Sequence, residues 1–434
     1  MQNIESENPT PVVTTGFFGK NPSLKIKEFQ YYLSLRLGLI FALNMQSTII
    51  YYWVYHITGD KLALGFVGLA EVIPAITCSF FSGHVVDLNE KRKMVMICVI
   101  GYLILGIGLF VLALPLAQAN LDISNSLILI YFFVFLGGML RSFYSPSMFA
   151  LFGMVVQRHH YPNATSWSSM AWQLGAVLGP LAAGFFIAWK GIPAGLFAVV
   201  CIQLLLLFPL FSISVKPILR KVTKEPVLRS VTEGLRFVIK TPALLGAQCL
   251  DMFSVLFGGA VALLPVYQKE ILHVNEMGFG ILRSAPGIGA LLTLGLLAFL
   301  PLKTHPGRKL FLCVTGFALS IIVFGISTNF ILSFFMLLLS GMFDAVSVVI
   351  RSTILQLVTP DEMRGRVAAV NTMFVSSSNE LGDFESGVMA HWLGTVRAVV
   401  TGGCLTLGVI AFTFFKAPQL RDFTFEDKGG KKPA

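Results

Sequence analysis

Residues 376–392 read SSSNELGDFESGVMAHW and place three carboxylates, Glu380, Asp383 and Glu385, inside a run otherwise fit to cross a lipid bilayer. Accepting this run as a membrane crossing, in spite of its acids, completes a set of twelve. A helix needs about 20 predominantly apolar residues to span the hydrocarbon core. Runs of that kind fall at roughly 31–57, 62–86, 94–117, 124–155, 164–189, 193–214, 243–266, 277–302, 309–328, 330–357, 367–391 and 394–416. The totals agree: the 434 residues are 55% hydrophobic and 12% charged, against about 25% charged in soluble chains, and the mean hydropathy is +0.77. The expected class is an all-α membrane protein.

The longest interruption, 215–241, carries Lys216, Arg220, Lys221, Lys224, Arg229, Arg236 and Lys240 and separates two groups of six spans. The expected organisation is an N-terminal tail over 1–30, a six-helix bundle over 31–214, a basic linker over 215–242, a second six-helix bundle over 243–416 and a C-terminal tail over 417–434. The first 22 residues are polar, hold Pro9, Pro11 and Pro22, and contain no apolar run, so they read as a flexible tail and not as a signal peptide.

The formal charge of +10 sits mostly in short loops beside apolar runs, which is a record of topology and not of a nucleic-acid partner. One side of the spans collects 24 Lys and Arg, including both tails and the linker, while the other has only Lys61, Lys190, Lys269 and Arg397. Cytoplasmic loops retain positive charge, so both termini are expected in the cytoplasm. Cys78, Cys98, Cys201, Cys249, Cys313 and Cys404 each stand alone in an apolar stretch, without disulfide or metal-ligand spacing. His159 and His160 fall in a loop and read as solvated.

The two groups of six echo each other. A shift of 203 residues carries Gly179 onto Gly382, Gly184 onto Gly387 and Arg141 onto Asp344, and a shift of 213 carries Gly65 and Phe66 onto Gly278 and Phe279. Transporters are often built from such repeated halves, with the pathway between them.

Between the second and third spans, SGHVVDLNEKRK supplies Gly83, Asp87, Lys91, Arg92 and Lys93. This resembles the loop signature of the major facilitator superfamily, although Leu88 and Glu90 depart from it, and THPGRK in the second half keeps Gly307, Arg308 and Lys309 but lacks the acid. The expected role is a latch, with Asp87 capping a helix or pairing with a basic group. The fifth span, GAVLGPLAAG, with Gly175, Gly179, Pro180 and Gly184, resembles the family's antiporter signature, with Ala183 in place of one glycine. ITGDKLALGFVGLAEVIP, SVTEGLRFVIKTPALL and TPDEMRGRVAAVN resemble the subgroup of enterobactin exporters and macrolide-efflux proteins.

The resemblance implies twelve helices in two pseudo-symmetric bundles, with the first, fourth, seventh and tenth lining a central cavity. Arg141 and Asp344 then stand at similar depth and are expected to face each other across it. Each lies on a polar stripe at helical spacing, Gly137, Arg141, Tyr144 and Ser145 in one span and Ser340, Asp344, Ser347 and Arg351 in the other. Asn44, Gln46 and Asp251 are further candidates for substrate contact, while Arg36 and Gln173 are other polar groups within spans. In the opening stretch, Ser376, Asn379, Glu380, Asp383, Ser386 and Gly387 share one helix face, and Glu385 projects about 200° from Asp383.

Desolvation favours the neutral form of a carboxylate and a nearby cation favours the charged form. A buried acid whose access alternates between the two sides can therefore carry a proton, which makes Glu380, Asp383, Glu385 and Glu71 the coupling candidates; Arg283 is a candidate partner. The expected function is proton-coupled export of an amphiphilic small molecule, a siderophore or drug, by a monomer in the cell inner membrane. The partners are the bilayer, the substrate and protons. A lysophospholipid transporter is the alternative within transport, and a receptor or scaffold that kept the fold is the alternative outside it. An enzyme is not expected, because the chain shows no phosphate loop, metal-ligand cluster or soluble catalytic domain, and no cofactor is called for.

Overall fold

The structure, a computed structural model, describes residues 21–216, 227–299, 305–360 and 363–424. The basic residues Lys20, Arg220, Lys221, Lys224 and Lys303 and the tail beyond 424 lie outside the described residues, as do the side chains of Arg229 and Ser376.

The membrane helices are α1 (Lys27–Thr58), α2 (Lys61–Leu88), α3 (Lys91–Ala113), α4 (Ile123–Val155), α5 (161–189), α6 (192–205), α7 (Pro242–Phe257), α8 (Glu276–Phe299), α9 (Pro306–Ile326), α10 (Phe330–Val358), α11 (Arg364–Leu393) and α12 (Thr395–Lys416). Ten helical stretches among the described residues are long and apolar enough to cross a membrane. One of them, Asn163–Ser212, is 50 residues long and makes two crossings. It breaks where Lys190 leaves the helical region and Gly191 takes φ +79°, the left-handed conformation that glycine adopts without strain. The remaining crossing is α11, which has the length, 30 residues, but whose acids and amides lower its hydropathy.

Polar residues set the ends. Gly59 closes α1 at φ +62°, and the Asp60 carboxylate accepts the Leu62 amide at 3.0 Å to start α2. Asn329 caps α10 by accepting the amides of Ile331 and Leu332. Such caps satisfy amides that have no partner within the helix.

One span differs from its sequence reading. The apolar run 243–266 is not one helix: α7 stops at Phe257, and Gly258 and Gly259 are followed by short helical turns to Ile271. The glycine pair lets the backbone leave helical geometry, and Ser386 of α11 donates its hydroxyl to the freed Gly259 carbonyl at 3.0 Å. Broken backbone at membrane depth is tolerated where protein groups satisfy it in this way.

Packing repeats between the halves. In the first, α1 packs on α5 and α6, α2 on α4, and α3 on α4 and α6; in the second, α7 packs on α11, α8 on α10, and α9 on α10 and α12. The bundles meet along α2 with α11 and along α5 with α8, pairs that exchange under the same repeat. Glycines mark these crossings: a Cβ on Gly387 would lie 2.7 Å from the Gly65 backbone, and one on Gly184 would lie 2.7 Å from the Glu276 carbonyl and 2.9 Å from Gly280. The 203-residue shift thus relates Gly184 and Gly387 in space as in sequence. It also relates Gly138, against the Glu71 carbonyl, to Gly341, against that of Pro286. The 213-residue shift is corrected: the partner of Gly184 in α8 is Gly280, not Gly278, which faces Val274 and Asn275 of its own turn.

The linker is not wholly a loop. Residues Val227–Lys240 form a helix that lies against the start of α11, where Gly234 fits against the Arg366 carbonyl and Glu233 accepts from Arg366 at 2.6 Å. Val238 is buried there with Leu244, Val367 and Val370.

Candidate functional site

Two ends of the molecule are distinguished by their connections: the linker end, and a distal end formed by the turns at Gly59, Gly191, His273 and Gly394. At the distal end the stretch YYWVY, 51–55, sends three tyrosines of α1 to acids of the second bundle. Tyr51 donates its hydroxyl to Asp383 at 2.5 Å, Tyr52 donates to Glu276 at 3.1 Å, and Tyr55 donates to Glu270. Lys61 adds a 3.4 Å ion pair to Glu270, and Asp60 lies 3.4 Å from the His391 imidazole. These bonds tie the two bundles together, so the distal end is closed.

Mid-membrane, α4 places Arg141 between acids of both bundles. Its Nη1 donates to Glu71 of α2 at 2.7 Å and to Glu380 of α11. The arrangement depends on close backbones: Gly138, one turn before Arg141, lets α4 sit on the Glu71 carbonyl, and Gly68 lets α2 sit on Glu380 and Asp383. Glu380 is 9% accessible and its Oε2 is buried without a hydrogen-bond partner, whereas the Arg141 side chain is 44% accessible. An intramembrane charge is tolerated where it meets protein partners or water, and Arg141 meets two acids while part of its side chain stays clear of other protein atoms. One turn along α11, Asp383 takes the Tyr51 hydroxyl. Arg283 of α8 covers the Tyr51 ring at 4.8 Å and donates to Ser47 at 3.2 Å. Glu71, Glu380 and Asp383 against Arg141 and Arg283 leave one formal negative charge in excess.

The expected pairing of Arg141 with Asp344 is corrected. Asp344 faces Arg351 of its own helix at 3.8 Å, and Arg351 also pairs with Asp251 of α7. Each half has its own arginine, because a carboxylate within reach of an adjacent helix is favoured over one across a wet cavity.

Asn44 donates to the Ile40 carbonyl of its own helix at 2.9 Å, which accounts for one of its donors without a ligand. The Gln46 Oε1 is buried without a partner. Arg36 donates to the Ser168 carbonyl, and Gln173 crosses from α5 to the Gly287 carbonyl of α8. Glu385 is half-buried on the other face of α11 and makes no ion pair among the described residues. In the fifth-span motif, Gly175 and Gly179 lie against α1, while the Pro180 carbonyl and Gly184 lie against Gly280 of α8.

The loop motif is corrected too. Asp87 is exposed and caps no helix among the described residues; Glu90 caps α3, accepting the amides of Arg92 and Lys93 at 3.0 and 2.9 Å. Lys91 gathers the last carbonyls of α2, those of Val86, Asp87 and Asn89, and Arg92 reaches those of Leu210 and Phe211. Gly83 has open space where a Cβ would be. In the second half, Asp422 from beyond α12 stands 3.8 Å from Arg308, supplying an acid where the THPGRK loop has none. The sequence reading missed Tyr51, Tyr52, Tyr55, Glu270 and Glu276; the tyrosine spacing beside acids of the 7–8 turn was the available signal.

Comparison with known proteins fits this architecture. The family profile described as Major Facilitator Superfamily matches residues 33–382. An enterobactin exporter EntS of Escherichia coli O1:K1 / APEC is 27% identical over 342 residues, covering 76% of this chain and 77% of that protein. Its namesake in Shigella flexneri is 28% identical over 339 residues with the same coverage. Among solved structures, a bacterial homologue of the human lysosomal transporter Spinster, inward-facing and unoccupied, matches with TM-score 0.70 at 15% identity, over 94% of this chain and 99% of its own. The xylose transporter XylE from E. coli, inward open, matches with TM-score 0.66 at 14% identity, over 88% and 95%.

Proposed function

The chain belongs to the Major Facilitator Superfamily, a membrane transporter and not an enzyme, and from that premise we propose that it exports an amphiphilic small molecule in exchange for protons. The observation that carries the proposal is the sharing of Arg141 between Glu71 of one bundle and Glu380 of the other. A proton on Glu380 removes its charge and leaves Arg141 to Glu71 alone. The α2–α11 crossing then loses its only mid-membrane ion pair among the described residues, and the bundles are free to rock. A proton on Asp383 likewise removes the charged acceptor of Tyr51 and loosens the distal closure.

Efflux as the direction is supported by the exporters to which the chain is similar over three-quarters of its length. The basic asymmetry supports a cytoplasmic linker end, and an inner membrane is part of the same reading. In a chain freed of native cysteines, a single cysteine at Lys190 or Lys269 should react with an impermeant thiol reagent from outside, and one at Lys224 should not.

The decisive experiment is pH-gradient-driven uptake into inside-out vesicles. Glu380→Gln and Asp383→Asn keep volume but cannot titrate. At least one should fold and bind substrate yet lose gradient-driven transport while keeping exchange at equal substrate concentrations. Normal gradient-driven transport by both single variants and the double variant would sink the coupling role of these acids.

A further inference from the structure

The second charged cluster has a shape that the proposed transport step does not use. A narrow cavity with room for about one water-sized ligand is lined by Asp251, Ser254, Phe317, Phe343, Asp344 and Ser347. It lies within one bundle, between α7, α9 and α10, away from the α2–α11 crossing. We infer that this cavity is a binding site for one monovalent cation, held by the Asp344 and Asp251 carboxylates and the Ser254 hydroxyl.

Three observations lead there. The first is charge: Asp251 and Asp344 face the single cation Arg351, so the cluster lacks one positive charge. Arg351 is already committed. It pairs with Asp251 and donates from Nε to the Ser347 hydroxyl at 3.1 Å, and Asp344 is left with a contact of only 3.8 Å. The second is an orphan oxygen: Ser254 is 4% exposed, lines the cavity, and its Oγ has no hydrogen-bond partner. A buried hydroxyl without a partner is unfavourable, and coordination of a cation removes that cost. The third is access, since the Asp344 side chain is 47% accessible and leaves the cluster open on that side.

The surroundings exclude a larger or more highly charged ligand. Phe317 and Phe343 close the cavity, and among the described residues no third carboxylate lines it. Other charged groups do not neutralise Asp344: α9 contributes Val314 and Phe317 to the lining, and Arg283 of α8 is turned to Tyr51 and Ser47. Sodium ion and proton share the required chemistry, one positive charge on oxygen donors, and the experiment separates them.

The test uses the full chain in nanodiscs. One arm measures the thermal midpoint and retained ²²Na⁺ in NaCl, with KCl and N-methylglucamine chloride at equal ionic strength as controls. The other measures protons taken up on acidification in the absence of sodium. The expected result is saturable uptake of about one cation per chain in one arm, weakened at least tenfold by Asp344→Asn and several-fold by Ser254→Ala, the proton count being taken as the difference between each variant and the unsubstituted chain. Sodium uptake assigns a sodium site and proton uptake alone assigns a proton site. Ser254→Ala removes only a hydroxyl, so it keeps the test open should Asp344→Asn fail to fold. Uptake in neither arm, or uptake indifferent to both substitutions, overturns the inference. Because binding is read without transport, its failure leaves the exchange reading standing, and the reverse holds as well.

Discussion

The two arginine clusters, equal in charge type, stand in opposite settings. Arg141 joins α2, α4 and α11, so its two acids belong to different bundles, and its side chain is 44% accessible. Arg351 joins α7 and α10 of one bundle; it is 10% accessible and its partner Asp251 is 5% accessible. A bond between bodies that rock must be breakable, and water at Arg141 lowers the cost of breaking it. A bond within one body need never open, and Arg351 sits where opening would be expensive. On the proposed cycle, the difference separates a moving contact from a scaffold contact.

The largest expected effect comes from the scaffold. Asp251→Ala leaves Arg351 buried without its main partner, which costs about 3–5 kcal/mol, and should lower the thermal midpoint and yield far more than Arg141→Ala does. Arg141→Ala should abolish transport while leaving a folded protein. If Arg141→Ala destabilises as much as Asp251→Ala, the contrast between the clusters is wrong.

Next in size are the crossings. Gly184→Leu and Gly387→Leu each insert a side chain where a Cβ already meets backbone at 2.7 Å, an overpacking cost of about 1–3 kcal/mol. Both should push the bundles apart at the distal end and raise thiol labelling there. The two effects should match, since the sites exchange under the repeat; an effect from only one of them breaks the symmetry argument.

The smallest effects sharpen the reading of the distal closure. Tyr51→Phe leaves Asp383 without its hydroxyl and should cost about 1–3 kcal/mol. Tyr52→Phe, losing a 3.1 Å bond at the half-buried rim, should cost about 0.5–1.5 kcal/mol. Accessibility of a distal cysteine in each variant ranks the two, and a larger opening from Tyr52→Phe would place the closure at the rim.

The twelve crossings were legible because each has its own local signal, including α11, whose acids lie inside a run of membrane length. The turn at Lys190 and Gly191 was legible for the same reason. Partner identity was not. Arg141 and Asp344 do occupy repeat-equivalent positions, but the repeat fixes depth and face, and the choice of partner is made by neighbours such as Glu71 and Arg351 that the repeat does not relate. The break after Phe257 was hidden by the unbroken apolarity of 243–266, in which two glycines look like ordinary packing residues. Glu90 displaced Asp87 as the cap because it directly precedes α3, and only the start of that helix, three residues earlier than its apolar run, makes this visible.

The paired glycine crossings also give the molecule its mechanical proportions. Gly65 and Gly387 on one side, and Gly184 and Gly280 on the other, are fulcrums placed near the distal end. From Gly65 to Leu88 the lever arm is about 34 Å at the rise of an α-helix, while Tyr52 and Lys61 act close to the pivot. A tilt of about 10°, well within the range of rigid-body transitions, therefore sweeps the linker end through about 6 Å, enough to admit or release an aromatic ring, yet shifts the distal bonds by a small fraction of that. Opening the distal end cannot use the same pivots. On the proposed cycle the machine changes its fulcrum between its two halves, and the second one lies nearer the linker end than Gly65 and Gly280.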